Sequence, residues 1–97
     1  MNRIFLSPLA HADMDAVWNY LAIERHSAAA ARRQLKQIVE SLNFLASSPL
    51  MGELRPDLRS DIRCFSTGNY VIFYVAAKDG IEVERIVHGS RDAGQLF

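Results

Sequence analysis

The 97-residue chain predicts an α+β fold in the order β-α-α-β-β-β, with a two-helix antiparallel hairpin packed on a small, mostly antiparallel sheet. Three observations carry that expectation. The first half holds two stretches with apolar residues at helical spacing, each opened by a serine that can cap. From Asp61 to Asp92 come three segments containing β-branched and aromatic residues, divided by two glycine-containing turns. Short connections of that kind make neighbouring strands antiparallel.

Arg3 to Leu6 reads as a short first strand, which must pair inside the sheet because a lone strand leaves its backbone groups unsatisfied. Ser7-Pro8 then opens a helix, with serine as cap and proline at the first helical position. Met14, Val17, Trp18 and Leu21 follow at i, i+3, i+4, i+7 and read as its core face, Trp18 included. Asp13 and Asp15 lie off that stripe, in the half of the helix where carboxylates suit the dipole. The helix is expected to end near Glu24 to His26. Ser27 caps the second helix, and Ala28 to Ala31 favour it strongly. Its stripe is Ala31, Leu35, Ile38, Leu42 and Leu45, with Arg32, Arg33, Lys36, Gln37 and Glu40 on the other side. Two facing stripes on a short connection make an antiparallel hairpin.

Ser47-Ser48-Pro49 stops the second helix, and Leu50 to Ser60 reads as a loop tacked to the body by Leu54 and Leu58. Ser66-Thr67-Gly68-Asn69 supplies residues that tolerate positive φ, and Lys78-Asp79-Gly80 carries the Asp-Gly hairpin signal. Between those turns, Tyr70 to Ala77 is nearly all apolar, as suits a central strand covered on both faces. The flanking strands are mixed: Ile62 and Cys64 alternate with Arg63 and Phe65, and Ile81 and Val83 with Glu82 and Glu84.

Size and composition fit one domain over residues 1–97, with no linker, repeat or low-complexity tract. The longest apolar run is too short to cross a bilayer, and the start lacks the apolar region of a signal peptide. A single cysteine, Cys64, excludes an intramolecular disulfide and makes a cytoplasmic protein the default. The formal net charge of zero counts against strong non-specific nucleic-acid binding by the chain alone. Nine of the eleven cationic residues are arginine, a planar fork for carboxylates and phosphates, although a GC-rich coding bias explains that lopsidedness equally well.

Four stretches, in order, resemble the ParE branch of the RelE/ParE toxin superfamily. Leu6-Ser-Pro-Leu-Ala-His-Ala-Asp-Met-Asp-Ala-Val-Trp-Asn-Tyr20 is similar to the family's opening strand and first helix. Leu45-Ala-Ser-Ser-Pro-Leu-Met-Gly52 is similar to its exit from the second helix. Arg63-Cys-Phe-Ser-Thr-Gly-Asn-Tyr-Val-Ile-Phe-Tyr74 is similar to its middle hairpin, and Ile81-Glu-Val-Glu-Arg-Ile-Val-His-Gly-Ser-Arg-Asp92 to its last strand and tail. The resemblance implies a toxin of a type II toxin–antitoxin module. It also implies a ParD-like antitoxin that wraps the toxin in a hetero-oligomer, and DNA gyrase as the target. RelE relatives of the same fold instead cut mRNA on the ribosome, which is the alternative reading.

Arg63, Arg85, His88 and Arg91 offer the cations and imidazole that such cleavage uses. The tail Ala93-Gly-Gln-Leu-Phe97 has no tyrosine, however, and Tyr20, Tyr70 and Tyr74 read as packing residues. The favoured expectation is therefore a protein that inhibits by binding, with no catalytic residues, cofactor or metal of its own. His88 has no second histidine or cysteine at ligand spacing. It reads either as a contact residue or, more commonly for a strand-end histidine, as one bonded to backbone that orders the turn through Gly89. Arg91 either pairs with Asp92 or reaches a partner's carboxylate. Arg59 and Arg63 are either a solvated edge or an anchor for an acidic antitoxin segment. Arg59, Arg63, His88 and Arg91 are thus the candidate contact residues, and Cys64 reads as apolar filler.

Overall fold

The structure, a computed structural model, describes residues 2–97. Its five-stranded sheet has the order β1-β5-β4-β3-β2, where β1 is Arg3–Leu6, β2 Glu53–Leu54, β3 Ile62–Thr67, β4 Tyr70–Ala77 and β5 Gly80–His88. Only the β1–β5 pair is parallel. Two helices, α1 (Pro8–Trp18) and α2 (Ala28–Ser47), cover one face. The first strand does pair, but at the edge of the sheet beside the last strand.

Both serine caps form as expected. Ser7 Oγ accepts the Ala10 N–H at 3.0 Å and Ser27 Oγ accepts the Ala30 N–H at 3.1 Å. Regular α-helix ends at Trp18, and Asn19–Glu24 widens into a π-helical turn closed by Arg25 N–H donating to Tyr20 O at 2.9 Å. His26 then takes a left-handed conformation, φ 53°, to turn the chain into α2.

The helices bury Val17, Ile38, Leu42 and Leu45 against Ile72, Tyr74, Ile81, Val83 and Ile86. Across the sheet, Ile62, Phe73 and Val87 pack with Leu58, Cys64, Ala93 and Leu96 from the connection and the C-terminal segment. Both faces of β4 are covered, which is why its sequence shows no alternation. Cys64 is part of that second cluster, as an apolar filler.

Past Leu6, which opposes Val83, β5 has no strand on its β1 side. One extra residue, Glu84, sits on β5 there, because Tyr74 opposes Val83 while Phe73 opposes Arg85. The α1 segment closes the gap. Ser7 N–H donates to Val83 O at 2.9 Å and Ser7 Oγ to Glu84 O at 2.7 Å. Asp13 does the rest, accepting from Ile86 N–H at 2.9 Å and from Arg85 Nε and Nη2 at 2.8 and 2.9 Å. The two side chains are 12% and 13% exposed, and the carboxylate holds the guanidinium charged.

Four expectations need correction. Trp18 is 36% exposed rather than core, because it stands at the flank of the α1 stripe and a large indole rarely fits under a flank. Tyr20, carried by the π-helical turn, is also exposed. Leu54 lies outward on the short edge strand β2, a strand the sequence reads as loop, so Leu58 alone of the two tacks this segment down. Gly80 is the first residue of β5 and not part of the turn. A side chain there would collide with the Arg3 backbone, so the glycine admits β1. The Gly68 turn needs no correction: its φ of 62° at the first central position suits the hairpin.

Asp13→Ala leaves the buried Arg85 guanidinium unpaired and should cost about 3 kcal/mol or more. Asp15→Ala, exposed on the same helix, should stay within roughly 0.5 kcal/mol. Urea denaturation of the two variants makes the comparison, and equal effects would refute the role given to Asp13.

Candidate functional site

His88 and Arg91 come together, while Arg59 and Arg63 stand apart from them. His88 ends β5 and borders four surface depressions, two of which it shares with Arg91. The smaller shared one, about 180 Å³, is also lined by Asp13, Val17, Tyr70 and Ile86. The imidazole is anchored on one side only. Its Nδ1 accepts the Ser90 N–H at 3.1 Å and lies 2.7 Å from Ser90 Oγ. The neutral ring therefore carries its proton on Nε2, an assignment made from these bonds. Its ring also meets Tyr70 edge-on at 5.6 Å between centroids. The backbone-bonded reading of His88 holds, and its Nε2 has no hydrogen-bond partner among the described residues.

Arg91 N–H donates to His88 O at 3.0 Å, closing the turn that carries both side chains. Asp92 forms no ion pair with Arg91 among the described residues. Its Oδ1 instead accepts the Gly94 N–H at 2.9 Å and starts a short 3₁₀ turn, Ala93–Gln95. The Arg91 guanidinium is left exposed beside His88.

Arg59 and Arg63 are engaged within the chain. Arg59 Nε donates to Asp61 at 2.7 Å and Nη2 to Glu84 at 3.4 Å, so the loop is tied to the bulge on β5. The Arg59 hydrogen bond holds the Asp61 carboxyl below the ordinary aspartate range. Arg63 Nη1 donates to Gly52 O at 2.8 Å and Leu50 O at 3.2 Å. Tyr74, opposite Arg63 on β4, completes that clamp: its hydroxyl donates to Pro49 O at 2.7 Å and accepts the Gly52 N–H at 2.8 Å. Gly52 has no room for a side chain against the Tyr74 ring. The clamp holds the segment that presents Leu50, 70% exposed, and Met51 to solvent.

A carboxylate bonded to the His88 ring would orient it for proton transfer. Asp13 is the one carboxylate lining the depressions that His88 borders, and both its oxygens are committed to Arg85 and Ile86. No three histidine, cysteine, aspartate or glutamate side chains among the described residues are grouped to hold a metal. Sequence reasoning missed Tyr20 and Arg25 at the neighbouring depression, because Tyr20 reads in the sequence as a packing residue of the first helix and Arg25 has no role, whereas Tyr70 packs in the core as expected and also lines this depression. Arg63→Ala should destabilise the fold by roughly 1–3 kcal/mol through the lost carbonyl contacts. Arg91→Ala should change stability by no more than roughly 0.5 kcal/mol. Thermal unfolding of both separates the clamp from the contact residue.

Known proteins agree with this architecture. Residues 4–93 match the family described as "ParE toxin of type II toxin-antitoxin system, parDE". Toxin ParE1 of Caulobacter vibrioides is 31% identical over 90 residues, covering 91% of this chain and 90% of that protein. Toxin ParE1 of Mycobacterium tuberculosis is 27% identical over 92 residues, covering 94% and 93%. A solved structure titled "Chromosomal ParDE TA system from P. aeruginosa" shares the fold, with a TM-score of 0.72 and 21% identity over 91% of this chain and 96% of that one. Read together with the order of its strands and helices, the match over residues 4–93 places this chain in the ParE toxin family of type II toxin–antitoxin systems.

Proposed function

We propose that this ParE-family toxin acts by binding DNA gyrase and blocking replication, and that a ParD-type antitoxin neutralises it. Membership in a family defined by the parDE pair supports the antitoxin, and the committed state of Asp13 beside His88 supports binding over catalysis. The poisoned enzyme supplies the chemistry. A cytoplasmic site of action fits such a target; no helix among the described residues is long and apolar enough to cross a membrane.

The exposed apolar residues supply a docking face for the antitoxin. Val39 and Phe44 project from α2, and Leu50, Met51 and Leu54 follow just past its end. An amphipathic antitoxin helix with anchors at helical spacing would cover such a surface. β1 and β2 also present open backbone edges to an extended segment. His88 and Arg91 are the contact residues of this reading. Arg59 and Arg63 contribute mainly by fixing the loop, with their remaining donors available to an acidic antitoxin segment.

The deciding measurement is gyrase supercoiling of plasmid DNA with ATP and the folded toxin. Loss of supercoiling with accumulation of linear DNA is expected, reversed by the antitoxin. Arg91→Ala and His88→Ala should weaken the effect by roughly tenfold each if they sit centrally in the contact. Undisturbed gyrase in the presence of a folded chain refutes the target. An antitoxin truncated of its C-terminal half should fail to neutralise, and full neutralisation by that fragment would refute the docking face.

A further inference from the structure

Between the π-helical turn, the start of α2 and the Gly68–Asn69 turn lies a concavity of about 400 Å³. No carboxylate lines it. Tyr70 is in its wall, only 8% exposed, yet its hydroxyl has no hydrogen-bond partner among the described residues. No fully buried side-chain polar atom among the described residues lacks a partner, so this hydroxyl reaches solvent through the depressions that Tyr70 lines, two of which it shares with Tyr20 and His88. Burial, and then the neighbouring Tyr20 phenol, push its pKa up, which keeps it a donor.

Arg25, His88 and the start of α2 bring further donors to this concavity, beside the amide side chains of Gln34 and Asn69. Arg25 contributes a guanidinium whose one side-chain contact is a long bond, 3.4 Å, from Nη1 to the Tyr20 hydroxyl. It has no carboxylate partner among the described residues. The His88 ring borders the same space, its Nδ1 held by Ser90 and its Nε2–H left free. At the opposite rim α2 begins. Ser27 satisfies the Ala30 and Ala31 N–H groups, while those of Ala28 and Ala29 have no partner among the described residues. The positive end of a 20-residue helix thus adds to the Arg25 charge.

We propose that this concavity is an oxyanion site that takes the phosphate group of a nucleotide or of a DNA strand. Arg25, Tyr70 and His88 supply donors from three separate elements, which suits the terminal oxygens of a phosphate, three on a monoester and two on a phosphodiester. The Tyr70 hydroxyl makes no hydrogen bond among the described residues and is free to donate when an anion fills the site. This assignment does not depend on gyrase being the target.

The test is a ¹H–¹⁵N NMR titration of the whole folded chain with inorganic phosphate, a mononucleotide, a short single-stranded DNA and acetate, each separately. Saturable shifts of the Ala28 and Ala29 amides are expected with phosphate and with both nucleotide probes. A mononucleotide that binds as well as the DNA identifies a free nucleotide as the source, and tighter DNA binding identifies the strand. Tyr70→Phe keeps the ring and should weaken phosphate binding by roughly tenfold without lowering the melting temperature. Arg25→Gln, on the exposed connection, should do the same. Absence of shifts, acetate binding as tight as phosphate, or binding unchanged in both variants would each overturn the proposal. Because these readouts do not involve gyrase, a failed supercoiling assay leaves the result intact.

Discussion

The edge of β5 beyond Val83 is the place where this fold closes or fails to close. β1 is only four residues long, and without a replacement the backbone of the last strand would face the helix layer unpaired. One carboxylate solves this twice over, by taking the Ile86 N–H that a longer β1 would have taken and by neutralising the Arg85 side chain that the bulge turns toward α1. Burying a charged pair this far is favourable only when the remaining hydrogen-bonding capacity is used, as it is here. Fixing α1 against β5 also fixes the direction in which the chain leaves α1. The π-helical turn, the left-handed His26 and the start of α2 all inherit it, and with them the walls of the concavity beside His88.

Much of the architecture could be read from the residues because it is set locally. Serine caps, the glycine at Gly68 and the all-apolar run of β4 each answer to a neighbouring few residues. The parts that escaped are set across the chain. Nothing around Asp13 announces a partner 72 residues away, and its position off the apolar stripe makes it look like a solvated helix acid. Gly80 misleads for the same reason, since Asp-Gly is a turn signal while the need for glycine comes from β1. Trp18 shows the limit of periodicity, which locates the centre of a buried face but not its width. Of the four candidate contact residues, the strand-end position of His88 and Arg91 was legible, but the carbonyl and carboxylate partners of Arg63 and Arg59 belong to distant segments.

The zero net charge conceals an uneven distribution. Arg55 is paired bidentately with Asp57, Arg59 with Asp61 and Glu84, and Arg85 with Asp13, while Arg63 is spent on carbonyls. Arg25, Arg32, Arg33 and Arg91 have no ion-pair partner among the described residues, and three of these four lie at the connection or in the first turns of α2. Acidic residues neutralise the sheet side of the molecule and leave the helical end positive. A neutral protein of this kind gains little from long-range attraction to nucleic acid, yet keeps a local surface suited to anions.

The pairing of β1 with Gly80 to Val83 also orders events during synthesis. The first strand made has no partner until the last strand has emerged from the ribosome, so Ile4, Phe5 and Leu6 wait with their backbone and apolar surface uncovered while the helices form behind them. Contacts this distant in sequence are slow to close. A protein built this way cannot complete its sheet until nearly the whole chain has been translated.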